Sequence, residues 1–362
     1  MYSEDINKCW VETKEETASF FLNSNKISKI PPDQNLDYED YTIQDPVVNR
    51  DGKLYCSSEG IQVGFNVTFN YSETENKVEI YTLPTLVKSY ETVLEKYGYV
   101  DGVSKNFNNQ KAILYDMFVV KKDNDLYGVV NSNNQEIISS KYKSMEFNES
   151  AKEFYVTNSS DKVGIVTQNG ITKINLLYDE INMVDKQSGL YVVKSGTKYG
   201  VLGSNGNIVI HLEYEKIGVD AQQFPSNNIS NKYLLYESVI PVYQNKKWGL
   251  FNTSGELIVP VEFDKTGCTE GASSTSNVNN LLLIPNYKSI VLGKTFRDEE
   301  KKTTYNLYGV YNNKGEKLIP CRLDRAYSIT SAGVDTFYME YQGNTMDIEK
   351  YIVRVYKLDS GT

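Results

Sequence analysis

From residue 115 onward the apolar and polar positions follow one pattern five times. Each copy pairs an aromatic or apolar residue with glycine: Tyr127-Gly128, Val163-Gly164, Tyr199-Gly200, Trp248-Gly249 and Tyr308-Gly309. Two apolar residues follow each pair, and six residues past the glycine stands a second special position, held by Asn134, Gly170, Gly206, Gly255 and Gly315. Asn is the non-glycine residue that best tolerates a left-handed backbone, so this position predicts φ > 0 in a tight hairpin turn. Apolar residues then recur ten, twelve and fourteen places after the first glycine, as in Ile210, Leu212 and Tyr214 or Val259, Val261 and Phe263. A period of two marks a strand with one buried face.

Each copy therefore predicts a strand, a short polar turn, a strand carrying the aromatic-Gly pair, a glycine turn, a third strand and a short fourth. In the third copy these fall at Leu190 to Lys194, Tyr199 to Leu202, Ile208 to Tyr214 and Lys216 to Val219. Successive first glycines lie 36, 36, 49 and 60 residues apart, and the extra length is assigned to Ser-, Asn- and Gly-rich loops at Ala221 to Lys232 and Thr269 to Asn280. A sixth, incomplete unit is expected at Thr336 to Tyr341 and Tyr351 to Leu358. Such units suit an open curved stack of antiparallel β-meanders, the preferred reading, or a closed propeller of about six blades. Pro260 and Pro320 cannot donate to a ladder, which places the third strand at an edge or a bulge.

The first third is patterned differently. A strand, turn and strand are expected around Phe20 to Ile27. The acidic stretch Asp33 to Asp45 comes next, then a short helix ending near Phe65 and two strands at Val67 to Tyr71 and Lys77 to Leu83. Thr82 is placed to cap a helix from Pro84 to Tyr97, with Gly98 beyond its end, and a second helix is expected over Asn108 to Tyr115. The organisation expected is mainly β: an extension over 1–17, a small α+β domain over 18–83, a helical connector over 84–114 and the repeat array over 115–358.

Lys247-Trp248-Gly249-Leu250-Phe251, continuing through Gly255 to Val259-Pro260, resembles the bacterial WG β-repeat, and Tyr308 to Leu323 matches nearly as well. The first three copies replace Trp and Pro and are degenerate members. The resemblance spans about 115–328 and implies an interaction scaffold. Residues 18–83, with Asp45-Pro46 to Cys56 before the short helix, resemble the copper amine oxidase N-terminal-like domain, a stalk-like module of exported bacterial proteins. That label carries no activity. Copper chemistry of the family needs three histidines and an Asn-Tyr-Asp/Glu tyrosine, whereas this chain has His211 alone, and Asn70-Tyr71 and Asn286-Tyr287 precede Ser72 and Lys288.

Charge and composition narrow the function further. With 38 Lys+Arg against 47 Asp+Glu the net charge is −9, and no basic face is encoded for nucleic acid. No apolar run is long enough to span a membrane, and the N-terminus lacks the regions of a signal peptide, so an exported form would need a leader or anchor outside this sequence. Cys9, Cys56, Cys268 and Cys321 form no Cys-x-x-Cys pair. Cys268 and Cys321 fall in apolar series, and His211 falls on the opposite face beside Pro260 and Pro320 of later copies. The acidic residues Asp33, Asp37, Glu39 and Asp40 match no calcium loop, and Asp123-Asn124-Asp125 sits where other copies turn. No catalytic residue, metal site or cofactor is expected.

The binding positions left are Tyr127, Tyr199, Trp248 and Tyr308, which could stack on sugar rings or grip a peptide. A residue repeated at a fixed place in every unit is more often the packing key, and that structural reading is favoured. The functional expectation is a non-enzymatic binding protein of a bacterial cell envelope, extracytoplasmic or at the cell surface, that engages a protein or glycan. An intracellular protein-interaction module is the alternative, with a glycan-acting hydrolase ranked last.

Overall fold

The structure is a computed structural model that describes residues 2–3, 7–12, 17–30, 39–96, 111–122, 124–219, 231–269, 280–284, 288–323, 337–342 and 352–357. The chain divides into two compact units, Met1–Tyr178 and Asp179–Thr362. The first holds the small domain and two repeats. The second begins at the third repeat.

In the first unit, five antiparallel strands pair in chain order: Tyr2–Ser3, Lys8–Glu12, Thr17–Phe21, Lys26–Ile30 and Glu39–Thr42. Residues 1–17, expected as an extension, thus supply two strands of the sheet. Helix Ser58–Phe65 packs on this sheet. Its N-terminus is capped by the Ser57 hydroxyl, which accepts from the Gly60 N–H, and Asn66 ends it in a left-handed conformation. Gly60 is required by contact: a Cβ there would collide with the Cys56 sulfur. The core beneath gathers Ala18, Phe20, Ile27, Tyr41, Ile43 and Val63.

The expected hairpin forms as Val67–Ser72 and Lys77–Thr82, and the expected helix as Leu83–Lys96. Of the second expected helix, Lys111 is helical and Ala112–Tyr115 forms a 3-10 turn, while residues 97–110 lie outside the described residues. Leu83 and Leu86 of the helix and Ile113 and Leu114 of the turn cover Phe118, Val120 and Val130 of the first repeat. Beside them lies a buried polar cluster. Lys111 Nζ stands 3.2 Å from Glu149 Oε2 with both side chains 4% exposed, and it donates to the Tyr41 hydroxyl at 3.1 Å. Lys29 Nζ donates to Asn66 Oδ1 at 3.0 Å, and Lys152 pairs with Glu59 at 2.9 Å. Lys111 and Lys152 thus tie the small domain to the second repeat, the first through a pair withdrawn from water and the second through a part-exposed one.

Every repeat forms its own small antiparallel sheet, and none closes into a barrel. In the first unit the sheets are Phe118–Lys121, Tyr127–Val130 and Glu136–Tyr142, then Ser144–Asn148, Glu153–Thr157, Val163–Thr167 and Thr172–Tyr178. The second unit continues with Glu180–Asp185, Leu190–Ser195, Lys198–Leu202 and Ile208–Tyr214, then Lys216–Ile217, Val239–Gln244, Lys247–Asn252 and Leu257–Phe263. The short strand expected to complete each repeat instead begins the sheet of the next. The chain breaks for one residue at Lys143, Asp179, Glu215 or Asp264, whose N–H groups donate to Thr157, Lys194, Tyr243 and Gly293 carbonyls. Within each unit, consecutive sheets are thereby joined by main-chain continuity and by hydrogen bonds beside the junction.

The two repeated glycines do different work. Between the pairs Trp248↔Phe263 and Leu250↔Val259 the third strand bulges over Gly249, and the same irregularity recurs in all five repeats. A Cβ at Gly249 would stand 2.9 Å from the Val259 carbonyl oxygen and 2.7 Å from a Val261 methyl, so the bulge needs glycine. Pro260 and Pro320 lie in these bulges, on strands that also form the sheet edge, and both proline expectations hold together. At the turn position Asn134 has φ 58°, while Gly170, Gly206, Gly255 and Gly315 have φ between 78° and 84°. Three of these glycines also dock on the preceding repeat. A Cβ at Gly170 would stand 2.5 Å from the Ile137 carbonyl oxygen, and Gly255 and Gly315 come closer still to those of Val209 and Ile258.

Candidate functional site

The four repeated aromatics are placed by register. Tyr127, Tyr199, Trp248 and Tyr308 pair across to Tyr142, Tyr214, Phe263 and Leu323 at the far end of each third strand. Tyr127, Tyr199 and Trp248 are half-buried and pack against the cores of their own sheets. On the first-strand side Lys121 Nζ lies 5.7 Å from the Tyr127 ring centre, Lys194 Nζ 5.5 Å from Tyr199, and Tyr243 packs 4.9 Å from Trp248. Tyr308 is 9% exposed, with its ring over Gly293, where a Cβ would stand 2.6 Å from it. Each aromatic therefore packs against at least one neighbouring side chain or the core of its own sheet.

The fifth repeat carries a feature that the sequence pattern did not single out. Its first two strands, Ser289–Asp298 and Thr303–Asn312, stay paired five residues past Gly293↔Tyr308 and form a β-arm. Phe296 and Tyr305 stack across this arm, ring centres 5.8 Å apart and planes 22° apart, and are 37% and 45% exposed. The arm is held at its base. Asp264 accepts from the Thr295 N–H at 2.8 Å and from Lys247 Nζ at 2.5 Å, and Lys294 pairs with Glu262 at 2.7 Å. Burial pushes the Asp264 carboxyl up, but Lys247, the Thr295 N–H and Lys265 outweigh it and hold the group below the usual aspartate range.

Between the arm and the seam of repeats four and five lies a cleft of about 380 Å³. Val259, Pro260 and Phe263 come from the fourth repeat, Phe296 from the arm, and Tyr311 and Lys317 from the fifth repeat. Tyr311 stands edge-on to Phe263, and its phenol is raised by burial, with Cys321 and Glu262 adding to the shift, so it remains neutral at physiological pH. The arrangement can hold a part-apolar ligand. It offers no pair of facing carboxylates among its lining residues.

Of the histidine and the cysteines, Cys321 lines the cleft. His211 is exposed on a bulged edge strand. Cys9, Cys56 and Cys321 are free thiols; burial raises Cys56 to about 11 and also raises Cys321, which suppresses the thiolate. The side chain of Cys268 and residue Asp123 lie outside the described residues, as do Asp33 and Asp37. Among the described residues no group of three or more His, Cys, Asp or Glu side chains is placed to hold a metal, and no helix is long and apolar enough to cross a membrane.

Residues 199–222, 248–270 and 308–334 match the WG containing repeat family, so the third, fourth and fifth units are WG-type β-repeats. No curated protein matches the chain. Among solved structures, a eukaryotic initiation factor aligns over 64% of this chain and 58% of its own at 11% identity with a TM-score of 0.28. Hsv2p of Kluyveromyces lactis aligns over 86% and 97% at 10% identity with a TM-score of 0.25. The WD40 β-propeller domain of Doa1 aligns over 90% and 86% at 8% identity with a TM-score of 0.21. Scores this low carry no argument about the arrangement of the repeats or about function.

Proposed function

We propose that this protein is a non-enzymatic binding scaffold that engages a partner protein or glycan through its C-terminal repeats. The observation that carries the reading is the β-arm. One WG-type repeat is elaborated by a protruding ribbon with the exposed Phe296–Tyr305 stack, beside a cleft at the seam it shares with its neighbour. Aromatic pairs of this kind, anchored on a rigid scaffold, are typical centres of binding energy.

The bacterial cell envelope is the proposed location. It rests on the resemblance of residues 18–83 to the copper amine oxidase N-terminal-like domain of exported proteins. An intracellular interaction module uses the same surface with a cytosolic partner. Both are tested by capture from envelope and cytosolic extracts in parallel. The full chain should retain a partner that a variant with the arm shortened to a two-residue turn after Gly293 releases. Equal capture by both forms rejects the arm as the contact.

A further inference from the structure

The seam between repeats four and five differs from the seam between repeats three and four in having a third wall. In both seams an aromatic of the later repeat stands edge-on to the last aromatic of the earlier one, Phe251 to Tyr214 and Tyr311 to Phe263. Only the later seam has a ten-residue strand pair beside it, and there Lys294 and Phe296 stand across from Pro260 and Lys317.

Two lysines reach this cleft and they are not equivalent. Lys294 is neutralised by Glu262 at 2.7 Å and lies 4.9 Å from the Phe263 ring centre. Lys317 is exposed and has no carboxylate at ion-pair distance among the described residues. In a chain of net charge −9 the cleft thus carries one uncompensated positive charge against walls of Val259, Pro260, Phe263 and Phe296. We propose that the cleft binds a peptide segment in which a carboxylate side chain adjoins an aromatic or branched aliphatic one, the carboxylate on Lys317 and the apolar group against Phe296 and Pro260.

The proposal deepens the scaffold reading and rests on it. A cleft of about 380 Å³ falls at the small end of specific ligand sites, roughly 300 to 1,000 Å³. A single free lysine cannot neutralise a phosphate backbone, which excludes nucleic acid as the occupant. A glycan would bury several hydroxyls against valine, proline and phenylalanine, each costing free energy unless hydrogen-bonded. An apolar side chain gains from the same walls, and Phe296 and Tyr305 extend that contact along the arm beyond the cleft.

The test uses the full chain and the fluorescently labelled peptide Leu-Asp-Phe, blocked at both ends, beside its Leu-Asn-Phe counterpart, with chitotriose as a glycan probe. Fluorescence anisotropy should give saturable binding of the Asp peptide, weaker by about tenfold for the Asn peptide, as expected for loss of a charge-assisted contact. Lys317→Met should weaken the Asp peptide by about tenfold without affecting the Asn peptide, and Lys317→Arg should restore most of it. Phe296→Ala should weaken both peptides alike, and unchanged melting curves establish that the variants fold. Absence of saturable binding, equal binding of the two peptides, indifference to Lys317→Met, or displacement of the labelled Asp peptide by chitotriose overturns the proposal. Partner capture that survives Lys317→Met and Phe296→Ala overturns the cleft assignment while leaving the scaffold reading standing.

Discussion

Tyr311 of the fifth repeat meets Phe263 of the fourth edge-on, with ring centres 5.3 Å apart and planes at 75°. Phe251 of the fourth repeat meets Tyr214 of the third at 5.7 Å and 76°. The residue two places after the first glycine of one repeat thus packs on the residue fourteen places after the first glycine of the repeat before. This one contact joins the sequence period to the packing of successive sheets. Phe263 is 1% exposed and lies within a core that includes Val219, Leu250, Val259 and Leu292.

Phe263→Ala removes the ring from both the seam and the core. The expected loss is about 3–5 kcal/mol, the usual cost of emptying an aromatic site in a packed interior. Urea unfolding of the full chain measures it, and a loss below about 1 kcal/mol would mean that the seam carries little of the stability.

Gly255 and Gly196 both have positive φ, 83° and 60°, but only Gly255 lies against another repeat, at the Val209 carbonyl. Gly196→Ala should cost about 1–2 kcal/mol from left-handed strain alone. Gly255→Ala should cost a further 1–3 kcal/mol or so, because the seam must open to admit the methyl. Equal losses in thermal or urea unfolding would show that the turn does not dock.

Trp248→Ala separates packing from recognition at the repeated aromatic. With the ring half-buried between Tyr243 and the fourth-repeat core, the expected result is a lowered melting temperature corresponding to about 2–4 kcal/mol. A variant that melts like the parent while losing its partner would assign the aromatic to recognition.

Lys111→Met leaves Glu149 buried without its cation, and about 3–5 kcal/mol of stability should be lost from the first unit. The double variant Lys111→Met, Glu149→Leu should recover much of that loss, since an apolar pair needs no desolvation of charge. A double variant no more stable than the single one would place the stabilisation elsewhere in the cluster.

Asp264 anchors the arm as a carboxylate held below its ordinary range. A depressed folded pKa contributes stability that is present above the unfolded value of 3.8 and is lost as pH falls through the folded value. Asp264→Asn should therefore cost about 1–2 kcal/mol near pH 7, with the gap to the parent closing below about pH 4. A gap independent of pH would mean that the side chain acts by shape alone.

Periodicity made the repeats legible because both signals are local. Alternation of Ile210, Leu212 and Tyr214 reflects strand geometry, and the glycine at the turn reflects a backbone angle that few residues adopt. Asn252 and Asn312 carry a further local signal of the turn. Their side-chain oxygens accept from the N–H groups two and four residues on and brace the same turn. The arm is written in the sequence as two runs on either side of Glu299 to Lys302, but strand length beyond a repeat's own ladder has no local signature that separates it from a loop.

The chain by itself determined the order of the five β-units, the need for glycine beside the aromatic or apolar residue and for a left-handed residue at the turn of each, and the presence of a single histidine. Only the tertiary structure decided that a strand such as Lys216–Ile217 joins the sheet of the next repeat, that Gly255 is pressed on Val209, and that Lys317 shares a cleft with Phe296. Strand propensity and turn angle are written in neighbouring residues. Sheet membership, close approach and shared clefts depend on which distant surfaces exclude water together, and no local pattern encodes that choice.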